Sequence, residues 1–245
     1  MWIYGSHAVR CALENNKRHF KGIFMLNSGK NPENESILKL CDDRQLRPAF
    51  KDKPFFEKQF GASAVHQGIA AEVEPLSHGS LDDLIMQTND LESAVFLMLD
   101  QVTDPHNVGA IVRSAAAFGV QSVIHPKHQS APQDSAIIAK TACGGVEHVA
   151  QHTVTNFAQT MKTFKDNGYW IIGLDERGKA PIQKAPLKGK IVLIMGAEGK
   201  GMRRLTKDNC DVLTHLPTSP QFPTLNVSNA AALSLYEYAR QNMTN

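Results

Sequence analysis

The chain has 245 residues, room for one large domain or two small ones. Hydrophobic residues at 42% and charged residues at 20% supply a sizeable core and exclude a disordered chain. Its 26 Lys and Arg against 24 Asp and Glu leave +2, so net charge singles out no class of partner.

Trp2-Ile3-Tyr4 reads as a strand and residues 7–16 as a helix. Residues 23–26 read as a second strand, 35–46 as a second helix and 66–73 as a closing strand. A small basic group, Arg10, Lys17, Arg18 and Lys21, lies in this part. Residues 75–92 carry Ser77, His78, Gly79 and Ser80 ahead of an acidic helical piece and read as a linker. From Ala94 the pattern becomes regular. Apolar strands are expected at 94–99, 120–124, 170–174, 191–195 and 212–216. Helices are expected at 108–118, 135–143, 157–164, 202–207 and 227–238. Near-continuous apolar strands separated by helices are what a parallel sheet covered on both faces requires. The expected fold class is therefore α/β, with domains at 1–74 and 94–245 joined by a linker at 75–93.

The longest apolar run, 94–99, is far short of the roughly 20 residues that cross a membrane. The opening Met1-Trp2-Ile3-Tyr4-Gly5 lacks the basic start of a secretory signal. Cys11, Cys41, Cys143 and Cys210 form no CxxC pair and read as free thiols of a reducing compartment. The ten histidines show no HExxH spacing, so no metal site is expected. A cytoplasmic protein is the expectation.

Ligands of open α/β sheets bind beyond the carboxyl ends of strands, which directs attention to three loops. The first runs from Asp100 through Asp104-Pro105-His106-Asn107-Val108-Gly109 to Arg113. The second is Gly196-Ala197-Glu198-Gly199-Lys200-Gly201-Met202. The third runs from Pro217 to Thr224 and on through Leu225-Asn226-Val227-Ser228-Asn229. Gly196 and Gly201 have Walker spacing, but Met202 and Arg203 stand where Lys and Ser/Thr belong, so a phosphate loop fails the test. Those glycines either turn a strand into a helix or let the backbone approach a ligand. Between Arg177 and Lys207 lie nine Lys or Arg and one acid, Glu198. Such a stretch is either a solvated face or a phosphate-backbone footprint. Arg113 lies on an otherwise apolar helix, where surface pairing and a site role are both open. One of Asn226, Ser228 and Asn229 would cap the last helix, and three polar side chains exceed that need.

Taken together, Asp104 to Gly109 with Arg113, Met195 to Gly199, and Leu225 to Ser228 resemble the three motifs of the SpoU (TrmH) family. These are S-adenosyl-L-methionine-dependent RNA ribose 2′-O-methyltransferases of the SPOUT superfamily. Residues 1–74, with Tyr4-Gly5-Ser6-His7-Ala8-Val9 and His66-Gln67-Gly68-Ile69-Ala70, are similar to the family's L30e-like RNA-binding domain. The resemblance implies a trefoil-knotted catalytic domain, an exception to the rule against threaded chains. It implies a homodimer, with Arg113 of one subunit near the cofactor of the other. It also implies catalytic roles for Arg113, Asn107, Glu198 and Asn226, and a cofactor held around Leu174, Gly196, Leu216, Leu225, Asn226 and Ser228. The implied partner is RNA, with a guanosine in a 23S rRNA loop as target and neither DNA nor a membrane involved. A tRNA guanosine is the alternative, and an inactive RNA-binding protein a further one. Gln221-Phe222-Pro223 stand where small polar residues are expected, in a segment that would touch RNA or cofactor.

Methyl transfer from a sulfonium to a hydroxyl is an in-line displacement, so the protein must orient the hydroxyl and stabilise charge growing on its oxygen. A guanidinium holds its proton, which makes electrostatic stabilisation and phosphate anchoring the roles that suit Arg113.

Overall fold

The computed structural model describes residues 1–27 and 32–242. Its strands are β1 (Trp2–Tyr4), β2 (Phe20–Leu26), β3 (Ala49–Lys51), β4 (Ile69–Val73), β5 (Ala94–Asp100), β6 (Ser122–Pro126), β7 (Ala150–Val154), β8 (Trp170–Leu174), β9 (Ala180–Pro181), β10 (Lys190–Gly196) and β11 (Val212–His215). Its helices are α1 (Ser6–Glu14), α2 (Pro32–Asp43), α3 (Lys53–Phe60), α4 (Leu81–Gln87), α5 (Pro105–Ala117), α6 (Ala136–Thr141), α7 (Phe157–Asp166), α8 (Arg204–Asp208) and α9 (Val227–Asn242). The chain divides into two compact units, Met1–Ser77 with Gln133–His148, and His78–Pro132 with Val149–Asn245.

The first unit is built on a four-stranded sheet in the order β1-β4-β2-β3, with β4 antiparallel to both neighbours. Sequence patterning misses β3 and α3. Three residues are too few to show alternation, and the helical signal of α3 lies in its cap instead. There the Asp52 side chain accepts from the Phe55 N–H and Pro54 stands in the first turn, a helix start with a physical cause. Fully buried Ile3, Val9, Ala12, Ile37, Cys41 and Phe56 form the unit's apolar interior.

The segment carrying α6 is pinned into this unit by charge. The Arg18 side chain is 2% exposed and its Glu147 partner 1%. Arg18 Nε and Nη2 donate to the two Glu147 oxygens at 3.1 and 2.8 Å, Nη1 donates to the Glu74 carbonyl, and Asn15 donates to Glu147 at 2.8 Å. Arg18 therefore has no solvent-facing charge for a phosphate, which removes it from the amino-terminal basic group of the sequence reading. Gly144, just before Glu147, adopts φ +85°, and a Cβ there would lie 2.4 Å from the Cys11 sulfur.

The second unit is a seven-stranded sheet in the order β7-β6-β5-β10-β8-β11-β9, with every pairing parallel. All seven residues of β5 are buried, as are the five central residues of β10, because helices cover a parallel sheet on both faces. Phe96, Met98, Met161, Phe164, Ile171 and Val192 pack in this core, with the Phe96 and Phe164 rings 4.8 Å apart. No helix among the described residues is long and apolar enough to cross a membrane. Because β10 enters between β5 and β8, the carboxyl ends of β5, β10, β8 and β11 lie side by side.

Removing one partner of a buried ion pair strands the other charge. Glu147→Ala is therefore expected to cost about 3–5 kcal/mol, read as a lower midpoint in denaturant unfolding. Glu147→Gln, which keeps the shape and loses the charge, should fall between the two.

Candidate functional site

The loops leaving β8, β10 and β11 enclose a cleft of about 490 Å³. Its lining includes Leu174, Gly196, Glu198, Leu216, Leu225 and Val227. Parallel strands deliver their carboxyl ends, and the loops that follow, to one edge of the sheet, so sheet topology produces this convergence.

Asp100 ends β5 and lies opposite Gly196 in the strand register, with no solvent exposure. Its carboxylate accepts from the Arg203 backbone N–H at 2.8 Å and from the Arg203 guanidinium at 2.7 Å. The glycine loop is thereby held at both ends, at Gly196 by the sheet and at Arg203 by the carboxylate. Within it, the Gly201 N–H donates to the Ala197 carbonyl at 2.7 Å, folding the loop back on itself. A Cβ on Gly196 would lie 2.3 Å from the backbone of Gly201 and Met202, closer than atoms can come. Glycine is thus required at 196 for backbone approach. Of the two readings the sequence leaves open, the tight turn is visible directly.

A second ion pair borders the cleft. Asp175, just beyond β8, meets Lys207 at 2.5 Å and accepts from the Arg177 backbone N–H at 2.9 Å. Burial pushes the Asp175 carboxyl up, but the bonds from Lys207 and the Arg177 N–H outweigh it and hold the pKa below its ordinary value. The pair's stabilisation is present above the usual carboxylate range and is lost as pH falls through the lowered pKa. Opposite, the Thr214 side chain donates to the Ala180 carbonyl at 2.7 Å, and a Cβ on Gly178 would overlap the Thr214 backbone.

The first motif meets the third at two helix starts. Asp104 caps α5 by accepting from the His106 N–H, with Pro105 opening the helix. Asn226 Oδ1 accepts from the Ser228 N–H at 2.9 Å and the Ser228 hydroxyl at 2.6 Å, which caps α9. Its Nδ2 donates to Asn107 Oδ1 at 2.9 Å. One side chain therefore caps a helix and ties it to another. The two helices pack side by side, with the Phe118 ring just past the end of α5 against Tyr236 of α9.

Of the residues singled out from the sequence, Leu174, Gly196, Glu198, Leu216 and Leu225 line the cleft. Asn107, Asn226 and Ser228 do not line it; they form a hydrogen-bonded group that organises α5 and α9, with Asn226 and Ser228 next in sequence to the lining residues Leu225 and Val227. Arg113 lies on the exposed side of α5 and does not line the cleft of its own chain. The sequence reading misses Asp100, Asp175 and the pairing roles of Arg203 and Lys207. Those two cations belong to the basic stretch, yet each is committed to a carboxylate, so the stretch is not uniformly available to a ligand. The signal was an acid directly after each apolar strand, at Asp100 and Asp175.

The cleft offers backbone groups, an apolar wall at Leu174, Leu216 and Leu225, carboxylates at Asp175 and Glu198, and cations at Arg177 and Lys200. That combination suits a ligand with an apolar ring system that carries both a positive and a negative group.

Comparison with known proteins bears on this directly. Residues 94–236 match the model of the SpoU rRNA methylase family, and residues 2–79 match that of an RNA 2′-O ribose methyltransferase substrate-binding domain. The 23S rRNA (guanosine-2′-O-)-methyltransferase RlmB of Vibrio parahaemolyticus is 38% identical, over 99% of this chain and 97% of its own length. Its Escherichia coli K12 counterpart is 37% identical over 98% of each chain. Among solved structures, the SpoU methyltransferase AviRb of Streptomyces viridochromogenes, in complex with AdoMet, superposes with a TM-score of 0.81. That match covers 98% of this chain and 89% of AviRb at 21% identity.

Removing the Arg203 side chain takes the guanidinium from buried Asp100 and leaves it the Arg203 N–H. Arg203→Ala is expected to destabilise by about 3–5 kcal/mol in chemical denaturation, whereas Asp100→Asn, which still accepts from the Arg203 N–H, should lose markedly less. Equal losses would show that the buried charge is not what holds the loop.

Proposed function

The chain belongs to the SpoU rRNA methylase family, and from that premise we propose how its residues serve the reaction and what they act on. The protein is an RNA ribose 2′-O-methyltransferase that uses S-adenosylmethionine. We propose a guanosine of 23S rRNA as its target, the substrate carried in the names of relatives that match over nearly the full chain. The observation that carries the reading is the cleft formed by the loops after β8, β10 and β11 and lined by Gly196, Leu216 and Leu225.

The donor set fits this cofactor. Leu174, Leu216 and Leu225 would pack its rings, Asp175 and Glu198 would face its cationic groups, and Arg177 and Lys200 its carboxylate. When bound, the cofactor supplies an electrophilic methyl group. The Asn226–Asn107 hydrogen bond fixes the start of α9, whose Val227 lines the cleft, and so helps orient the incoming ribose hydroxyl. Arg113 anchors a phosphate and stabilises charge on the ribose oxygen.

Because Arg113 is exposed and does not line the cleft of its own chain, this role calls for a second copy. Leu233 and Tyr236 of α9 are 48% and 57% exposed, on a helix packed against the one that carries Arg113. These features support a homodimer in which the α5 and α9 face is covered and Arg113 reaches the partner's cleft. The trefoil knot, RNA gripping by the residue 1–74 domain and a cytoplasmic location belong to the same reading.

Tritiated methyl transfer to 23S rRNA from a strain lacking the gene, followed by mapping of the labelled ribose, tests the reaction and its target together. Label on a guanosine ribose of 23S rRNA is expected. Label confined to tRNA would overturn the target, and absence of transfer to any RNA would overturn the reaction. Arg113→Ala and Gly196→Val should each be inactive, while their equimolar mixture recovers about a quarter of wild-type activity, since half the dimers carry one complete site. A mixture as inactive as its components would place Arg113 and the cleft in the same subunit.

A further inference from the structure

Phe222 is 72% exposed, the highest value of any aromatic side chain among the described residues. It sits in the loop between β11 and α9, whose Pro217, Thr218, Pro223 and Thr224 line the cleft. A large apolar ring left in water beside a binding site needs a reason, since burying such a ring is strongly favourable.

The loop is built to hold that ring in place. Pro217, Pro220 and Pro223 each fix a backbone angle. The Thr218 hydroxyl donates to the Pro223 carbonyl at 3.3 Å, closing the loop across its base. At the tip, the Phe222 N–H donates to the Ser219 carbonyl at 3.0 Å, and the Ser219 hydroxyl donates to Gln221 Oε1 at 2.5 Å. The backbone that carries the ring is therefore held by the loop's own bonds.

We propose that Phe222 stacks on a nucleobase of the RNA substrate, at or next to the nucleotide whose ribose enters the cleft. This rests on the reading above that RNA is the substrate. RNA loops offer unstacked bases, and aromatic side chains are the usual platforms for them. Every base has a π-face, so a ring in this position strengthens binding without needing to read the sequence. Phe222 then adds to RNA binding, holding one base beside the cleft without touching the reacting atoms.

Phe222→Ala, Phe222→Leu and Phe222→Trp separate stacking from bulk. With a 23S rRNA fragment as substrate, Phe222→Ala should raise KM for RNA about tenfold or more, with kcat within about twofold of wild type. Phe222→Trp should restore KM and Phe222→Leu should not. Affinity for S-adenosylmethionine, read by calorimetry, should be unchanged in all three, and ultraviolet crosslinking should join residue 222 to RNA in the wild type. An unchanged KM for RNA in Phe222→Ala would overturn the proposal, as would full rescue by leucine. Weakened cofactor affinity, or weakened self-association in sedimentation with KM for RNA intact, would assign the ring elsewhere and overturn it as well. A wild-type enzyme that methylates no RNA is a different result, one that removes the reading beneath the proposal.

Discussion

A carboxylate shut away from water persists in a fold only if cationic and N–H donors replace the solvent it has lost. Asp100 is in that position. It has no exposure, it ends β5, and it accepts from both the backbone N–H and the guanidinium of Arg203, about a hundred residues further on. Satisfying it requires the chain after β10 to return to the end of β5. That return makes the tight loop from Gly196 to Met202 and presses Gly196 against the Gly201 backbone. The cleft is the space this arrangement leaves between β10, β8 and β11. Chemistry at its walls is thus tied to the core by one ion pair.

Charge is used in two ways in this chain, and composition does not distinguish them. In the basic stretch from Arg177 to Lys207, Arg203 and Lys207 neutralise buried or half-buried acids and shape loops. Arg177 and Lys200 line the cleft. Near the amino terminus, Arg18 is an internal strut for Glu147. A phosphate footprint drawn from sequence alone overcounts, because linear spacing displays cations without their partners.

The parallel sheet was legible, because β5, β8 and β10 are buried on both faces and their apolar runs are unbroken. Strand order was not, since the entry of β10 between β5 and β8 depends on long-range pairing that leaves no local periodicity. The edge strand β7 escaped notice for a related reason. Its Ala150–Val154 run is only partly buried and carries Gln151, His152 and Thr153. The discontinuous first unit was equally hidden, because Arg18 and Glu147 are 129 residues apart. At the cleft, the loop glycines and Asn226 stood out because their residue types are restricted by backbone approach and capping. Asp100 and Asp175 did not, since an acid after a strand is ordinary until its burial is known.

The proposed seat of the methyl donor is the backbone turn at Gly196. Calorimetric titration of S-adenosylmethionine into the wild-type protein and into Gly196→Ala, with circular dichroism to show that both are folded, tests it most directly. One donor bound per wild-type chain is expected, with an affinity at least about tenfold weaker in the variant, a difference of about 1.4 kcal/mol. Equal affinity in two folded proteins would contradict it.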